Sequence, residues 1–242
     1  MNIESAAASI LKRGVELDTN KRYTEALVCY QEGMQILVDS LKENPADHTK
    51  VYLRTKIEEY MSRAETIKKL VTKQKDSGQF HEQVHIENNS TGHSYKSIFG
   101  RFLDDDVTFV IIEDPYIRAF HQCQNFLKVC ELLVTSCKNI QNIELVTAKE
   151  CKQGSEQVEW LRCIIEDLKK YKVRLIVKFS ETLHDRQIIL SSGWIIKIGR
   201  GLDYFKATEN KFCLGAFDLD LRQCHETNVD IVHSKNVKQS YG

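Results

Sequence analysis

Apolar side chains recurring every three or four residues fix the first third of this chain as helical. Tyr23, Ala26, Leu27, Tyr30, Met34, Leu37 and Leu41 share one side only if Tyr23–Lys42 is a helix. An earlier stripe of Ala7, Ile10, Leu11 and Leu17 predicts a helix over Glu4–Leu17. Asp18-Thr19-Asn20 ends it and offers caps for the next. Asn44-Pro45 breaks the second helix, and Pro45 suits the first turn of a third. That third helix runs to about Lys73, with Leu53, Ile57, Tyr60, Ala64, Ile67 and Val71 as its stripe. Three such helices with short connections predict a small antiparallel bundle over residues 1–75.

One apolar residue leaves the third stripe. At 100° per residue, Met61 lies roughly 80° from its centre, flanked on its own face by Arg54, Glu58, Glu65 and Lys68. A flexible thioether on a polar flank suits an adaptable groove. The same position also suits a boundary residue half covered by the second helix.

Residues 74–81 are polar and carry Gly78, which places a linker at 76–81 and a second domain over 82–242. Strands are expected at Val84–Ile86, Val107–Ile112, Ile143–Thr147 and Val173–Phe179. Helices are expected near Tyr95–Leu103, Phe120–Cys137 and Glu156–Tyr171. This alternation predicts an α/β domain with a mixed sheet. Lys211–Leu221, with Leu214, Phe217, Leu219 and Leu221, is expected to add a strand. Asp218 and Asp220 can be read with His225 as a metal site, but alternating carboxylates are the ordinary wet face of an edge strand, and no metal is expected.

The stretch His184–Phe205 concentrates the polar chemistry. Gln187–Leu190 and Trp194–Ile198 read as two strands joined by Ser191-Ser192-Gly193, a hairpin signal. His184, Arg186, Lys197 and Arg200 stand at its mouth beside Gly199 and Gly201, an inventory suited to an anion. The same residues suit a half-buried hairpin with solvated cations. The 34 basic and 34 acidic residues cancel, so no global field steers the chain toward nucleic acid, and any basic site is local. Between residues 172 and 211, Lys172, Arg174, Lys178, Arg186, Lys197, Arg200, Lys206 and Lys211 outnumber Glu181, Asp185, Asp203 and Glu209.

The N-terminus lacks both a basic start and a long apolar core, and no signal peptide is expected. No stretch reaches the roughly 18 apolar residues of a membrane span. The eight cysteines are expected to be reduced. Cys123, Cys130 and Cys137 recur every seven residues on one helix face, and with no CxxC pair they read as core packing rather than zinc ligands. A cytoplasmic location is expected.

Arg22-Tyr23…Ala26-Leu27…Tyr30…Gly33-Met34…Leu37, followed by Lys56-Ile57-Glu58…Tyr60-Met61…Arg63-Ala64-Glu65…Ile67, resembles an MIT domain (microtubule interacting and trafficking). The Tyr-x2-Ala-Leu-x2-Tyr part also suits a tetratricopeptide repeat, but further copies do not follow. MIT domains bind C-terminal helices of ESCRT-III subunits, commonly between helices 2 and 3. The resemblance puts Met61 and Glu65, with Ile57 and Lys68 beside them, at the groove.

His184-x-Arg186, a β segment and a Gly-containing turn resemble the His-x-Lys-x4-Asp signature of the phospholipase D superfamily. There the His attacks phosphorus, the Lys holds the phosphate and the Asp supports the site. Here Arg186 replaces Lys, Ser191 stands at the Asp position, and one copy is present where two are needed. The resemblance therefore implies half of a phospholipase D fold with a degenerate motif and no catalytic residue.

An MIT domain followed by such a domain resembles a family of homodimeric adaptors, most specifically through Ile196–Phe205. That resemblance implies binding to ESCRT-III, attachment to anionic, phosphoinositide-containing membrane, and action in cytokinetic abscission at the midbody and on endosomal membrane. Lys178, His184, Arg186, Lys197, Arg200 and Lys206 are the expected lipid ligands, and no cofactor is implied. The alternative is a phosphodiesterase or phospholipase whose two His184 residues meet across a dimer.

Overall fold

The computed structural model describes residues 3–43, 46–151, 155–210 and 212–234. Two compact units divide between Glu82 and Gln83. The first holds α1 (Ile3–Thr19), α2 (Tyr23–Lys42) and α3 (Asp47–Asp76). Their stripes form the core: Ala7, Leu11, Leu17, Ala26, Tyr30, Leu37, Leu53, Ile57, Ile67 and Val71 are buried. Gly33 is required there, because a Cβ would come within 2.6 Å of Leu11. The expected break at Asn44-Pro45 lies outside the described residues.

Helix α3 outruns the sequence reading by one turn. Gln74, Lys75 and Asp76 are polar yet helical, and the basic last turn with Lys73 and Lys75 suits the negative end of the helix dipole. The stop comes at Gly78, with φ +68°, where Gln79 N–H donates to the Gln74 carbonyl and Gly78 N–H to that of Lys75. Only Ser77–Phe80 connects α3 to β1 (His81–Ile86).

The second unit contains α4 (Tyr95–Phe99), β2 (Phe109–Glu113), α5 (Phe120–Ser136), β3 (Asn142–Thr147), α6 (Gln157–Lys170), β4 (Arg174–Phe179), β5 (Gln187–Leu190), β6 (Trp194–Ile198) and β7 (Thr227–His233). The sheet order is β1-β7-β6-β5-β2-β3-β4. Strands β2, β3 and β4 are parallel; β5 pairs antiparallel with β2 and β6, and β6 with β7. The expected mixed sheet is thus a seven-stranded one. Right-handed crossovers stepping twice in one direction put α5 and α6 on the same face. Val110, Ile112, Ile143, Leu145, Ile188, Ile196, Val229 and Ile231 are buried on that face. On the other face Ile111 and Ile189 are buried, with partly covered Phe109, Val146 and Ile195 packed around them. Among the described residues, no helix is long and apolar enough to cross a membrane.

The expected strand at Lys211–Leu221 does not form. Lys211 lies outside the described residues; the rest is turns and a 3-10 helix over Leu219–Leu221. Gly215 has φ +82°, and a Cβ there would sit 2.9 Å from the Leu221 carbonyl oxygen, so the chain folds back on itself. The true last strand is β7, which the sequence reading passed over because Asn228 and Asp230 interrupt its apolar residues on the exposed side.

A carboxylate ties the three helices of the first unit together. Asp18 at the end of α1 accepts two bonds of 2.7 Å from Arg63 of α3 and one of 3.1 Å from the Tyr30 hydroxyl of α2. The hydrogen bonds from Arg63 hold the Asp18 carboxyl below its usual range against the opposing effect of burial. We expect Asp18→Asn to destabilise the bundle by about 1 kcal/mol, less than is usual for a charged hydrogen bond because Arg63 is half exposed. A depressed folded pKa adds stability above the unfolded value of 3.8, and this is lost as pH falls through the folded one. The difference in thermal midpoint between wild type and variant should therefore be full at neutral pH and shrink below about pH 4.

Candidate functional site

The carboxyl ends of β2, β3 and β4 lie at one end of the sheet, where β5 begins and β6 ends. Crevices outside such strand ends are where α/β sheets place their ligands. Asp114, the residue after β2, is 1% exposed and organises this end. Its carboxylate accepts from the backbone N–H of Tyr116 at 2.9 Å and of Leu202 at 2.8 Å. The second bond holds the loop that follows β6 against β2. Gly201 makes this approach possible: its φ is +66°, and a Cβ there would overlap the Asp114 carboxylate. Burial raises the Asp114 pKa, outweighing the two backbone hydrogen bonds.

One residue later in the same loop, Asp203 fastens the start of α5. It accepts from Gln122 Nε2 and Asn125 Nδ2, both at 3.1 Å, and lies 3.2 Å from His121 Nε2. Buried Gln157 braces the site from behind, donating to the Ile117 and Ala148 carbonyls and accepting from Glu150 N–H. Sequence reasoning missed Asp114, Asp203 and Gln157 as organisers. Their partners stand up to 88 residues away, and no local pattern marks them.

His184 is exposed, and among the described residues no side chain hydrogen-bonds to its ring. Arg186 is half-buried and already engaged. Its guanidinium lies 4.6 Å from the centre of the Tyr116 ring and donates to the Gly199 carbonyl. Ser191 is at the far end of β5 from His184, at least about 13 Å away along four extended residues. It is buried and accepts from Thr108 N–H at 2.8 Å, closing β5 onto the approach to β2.

The other four residues expected to bind lipid fall into two groups. Lys178 and Lys197 share the less covered sheet face. They stand in one cross-strand row, Lys197–Gln187–Glu113–Val146–Lys178, and Lys178 is paired with Glu144 at 2.7 Å. Arg200 and Lys206 instead flank His225, whose pKa is lowered by burial and then by these two cations. The backbone bridge between Phe205 and Cys224 brings Lys206 beside His225, and Arg200 N–H donates to the Thr227 hydroxyl two residues further on. Asp218 and Asp220 serve as caps: Asp218 accepts from Asp220 N–H, and Asp220 from Ser94 N–H and Ser97 Oγ. Among the described residues, no three His, Cys, Asp or Glu side chains gather as a metal would require. Cys123 and Cys137 are buried, which pushes their thiols up to about 11.

In the helical unit Met61 is 50% exposed, while Ile57, one turn earlier, is buried at 9%. Glu65 and Lys68 are exposed at the following turns of α3. Ile57 therefore supports the face from beneath, and Met61, Glu65 and Lys68 present it. A second groove of about 410 Å³ lies between α1 and α3, lined by Leu11, Lys12, Val15, Tyr52, Lys56 and Tyr60 among others. Exposed Tyr52, off the apolar stripe like Met61, is the signal that would have revealed it.

Residues 4–69 match the family described as the MIT (microtubule interacting and transport) domain. Residues 92–233 match the phospholipase D-like domain at the C-terminus of MIT. MIT domain-containing protein 1 of Mus musculus is 48% identical over 236 residues, which cover 97% of this chain and 95% of that protein. With both domains matched in this order along nearly its whole length, the chain belongs to the MIT domain-containing protein 1 family.

Proposed function

We propose that the chain is a non-catalytic, homodimeric adaptor that binds C-terminal helices of ESCRT-III subunits through its MIT domain. Its second domain attaches to anionic, phosphoinositide-containing membrane, and the protein acts in cytokinetic abscission at the midbody and on endosomal membrane. Half-exposed Met61 carries this reading. A large apolar side chain stands in water beside a carboxylate and an ammonium, on a helix whose stripe is otherwise turned inward. An amphipathic partner helix would cover it.

The non-catalytic part rests on Arg186. This guanidinium already stacks on Tyr116 and donates to the Gly199 carbonyl, with its Nε left unpaired, and Ser191, at the position of the signature's Asp, lies at the far end of β5. The dimer rests on the second sheet face, because parallel strands are ordinarily covered on both sides. Here Ile195, Phe109 and Val146 are only partly covered. Glu113, Glu144, Lys178 and Lys197 nearby supply both signs of charge, as a self-complementary surface needs.

We expect Met61→Asp to weaken binding of an ESCRT-III C-terminal peptide at least about tenfold, because it sets a carboxylate where an apolar contact is buried. Its melting temperature should match wild type. Unchanged affinity in a titration would move the site to another helix pair. Phosphodiester hydrolysis should stay at background in wild type and in His184→Ala alike; turnover lost in that variant would favour the dimeric enzyme instead. For Ile195→Lys, sedimentation should show a folded monomer where wild type is a dimer.

A further inference from the structure

Among the described residues, the least covered apolar side chains of the second domain cluster in one loop. Residues 207–210 and 212–222 leave and return at a closed stem, where Lys206 N–H donates to the Gln223 carbonyl and His225 N–H to that of Tyr204. At the tip Phe212 is 99% exposed, Phe217 89% and Leu214 85%. The loop is nevertheless built. Arg222 reaches across it to donate to the Gly215 and Ala216 carbonyls, both at 2.5 Å. Gly215 adopts φ +82° against the Leu221–Arg222 backbone. Asp220 ties the returning limb to Ser94 and Ser97. A loop held this firmly presents its apolar side chains outward by construction.

Cations gather around the stem, with Asp203 near His225 and Glu131 near Lys128 as counter-charges. Arg200 and Lys206 flank His225 on one side, and Lys128 of α5 lies close enough to Arg222 for the two charges to repel. Two of the loop's three carboxylates, Asp218 and Asp220, are engaged as caps, which leaves Glu209. An apolar tip above a basic collar matches an anionic bilayer, with acyl chains beneath and charged headgroups at the surface. A groove on a protein would have to be concave and, at its rim, acidic.

We propose that the loop of residues 212–222 is a membrane-inserting wedge, with Phe212, Leu214 and Phe217 entering the acyl region of an anionic bilayer while Arg200 and Lys206 rest among the headgroups. The proposal rests on the membrane-attachment reading above and assigns that attachment to this loop rather than to His184 and Arg186. It predicts binding with an electrostatic part that salt removes and an apolar part that salt leaves.

The test uses full-length protein and sedimentation with phosphatidylcholine vesicles, with and without phosphatidylserine and a phosphoinositide. Phe212→Ser/Leu214→Ser/Phe217→Ser should fold like wild type, since the tip packs on little, and should bind anionic vesicles at least about tenfold more weakly. Residual binding of wild type at high salt should vanish in this variant. In Phe217→Trp, fluorescence beyond that of wild type should be quenched by brominated acyl chains. Equal vesicle binding by wild type and the triple variant would overturn the wedge and leave membrane attachment standing. So would unquenched Trp fluorescence, or loss of a protein partner with vesicle binding intact. Failure of wild type to bind any of these vesicles would remove the membrane reading itself and the wedge with it.

Discussion

The handedness of two crossovers shapes the second domain. Chain leaving β2 reaches β3 through α5, then β4 through α6, stepping the same way each time. Right-handed crossovers therefore lay both helices on one face. That choice fixes which side chains are buried, leaves the opposite face lightly covered, and aligns the carboxyl ends of three strands. The hairpin of β5 and β6 then adds antiparallel to β2, which brings the start of β5 and the end of β6 to the same rim. Arg186, Gly199 and Asp114 meet there because the topology leaves them no other place.

At that rim the chain uses charged groups as fasteners. Asp114 is buried against the desolvation that raises its pKa, and it is retained because two backbone N–H groups need an acceptor where water is excluded. Asp203 performs the same service for the first turn of α5, and Asp18 does so for the three-helix bundle. Each joins segments that lie tens of residues apart. Arg186 belongs to the same set: stacked on Tyr116 and bonded to Gly199, it holds the loops after β2 and β6 together.

Periodicity made the regular elements legible, and long-range polar ties were not. Helix α2 and both strands of the hairpin fall where their apolar spacing predicts, because each buries a stripe that can be counted along the chain. Lys211–Leu221 misled for the same reason. Phe212, Leu214 and Phe217 read as a strand face, yet Gly215 turns the chain between them and they end in solvent. Strand β7 was hidden by Asn228 and Asp230, which pair across to His85 and Gln83 of β1. The motif around His184 was visible as a pattern, but the commitment of Arg186 depends on Tyr116, seventy residues earlier.

Electrostatics on this molecule act over short reach. Acidic and basic residues balance at 34 each, and at physiological ionic strength the field of an exposed charge decays over about 8 Å. Lys178 and Lys197 are four strand spacings apart, about 19 Å, so they cannot serve one anion between them. Lys178 is in addition neutralised by Glu144. Arg200 and Lys206 are different, because both act on His225 and lower its pKa, after the larger effect of burial. A chain with no net charge can still hold a basic site, provided the backbone gathers the cations. Here the bridge between Phe205 and Cys224 and the bond from Arg200 N–H to the Thr227 hydroxyl do so, at the foot of the loop whose tip is apolar.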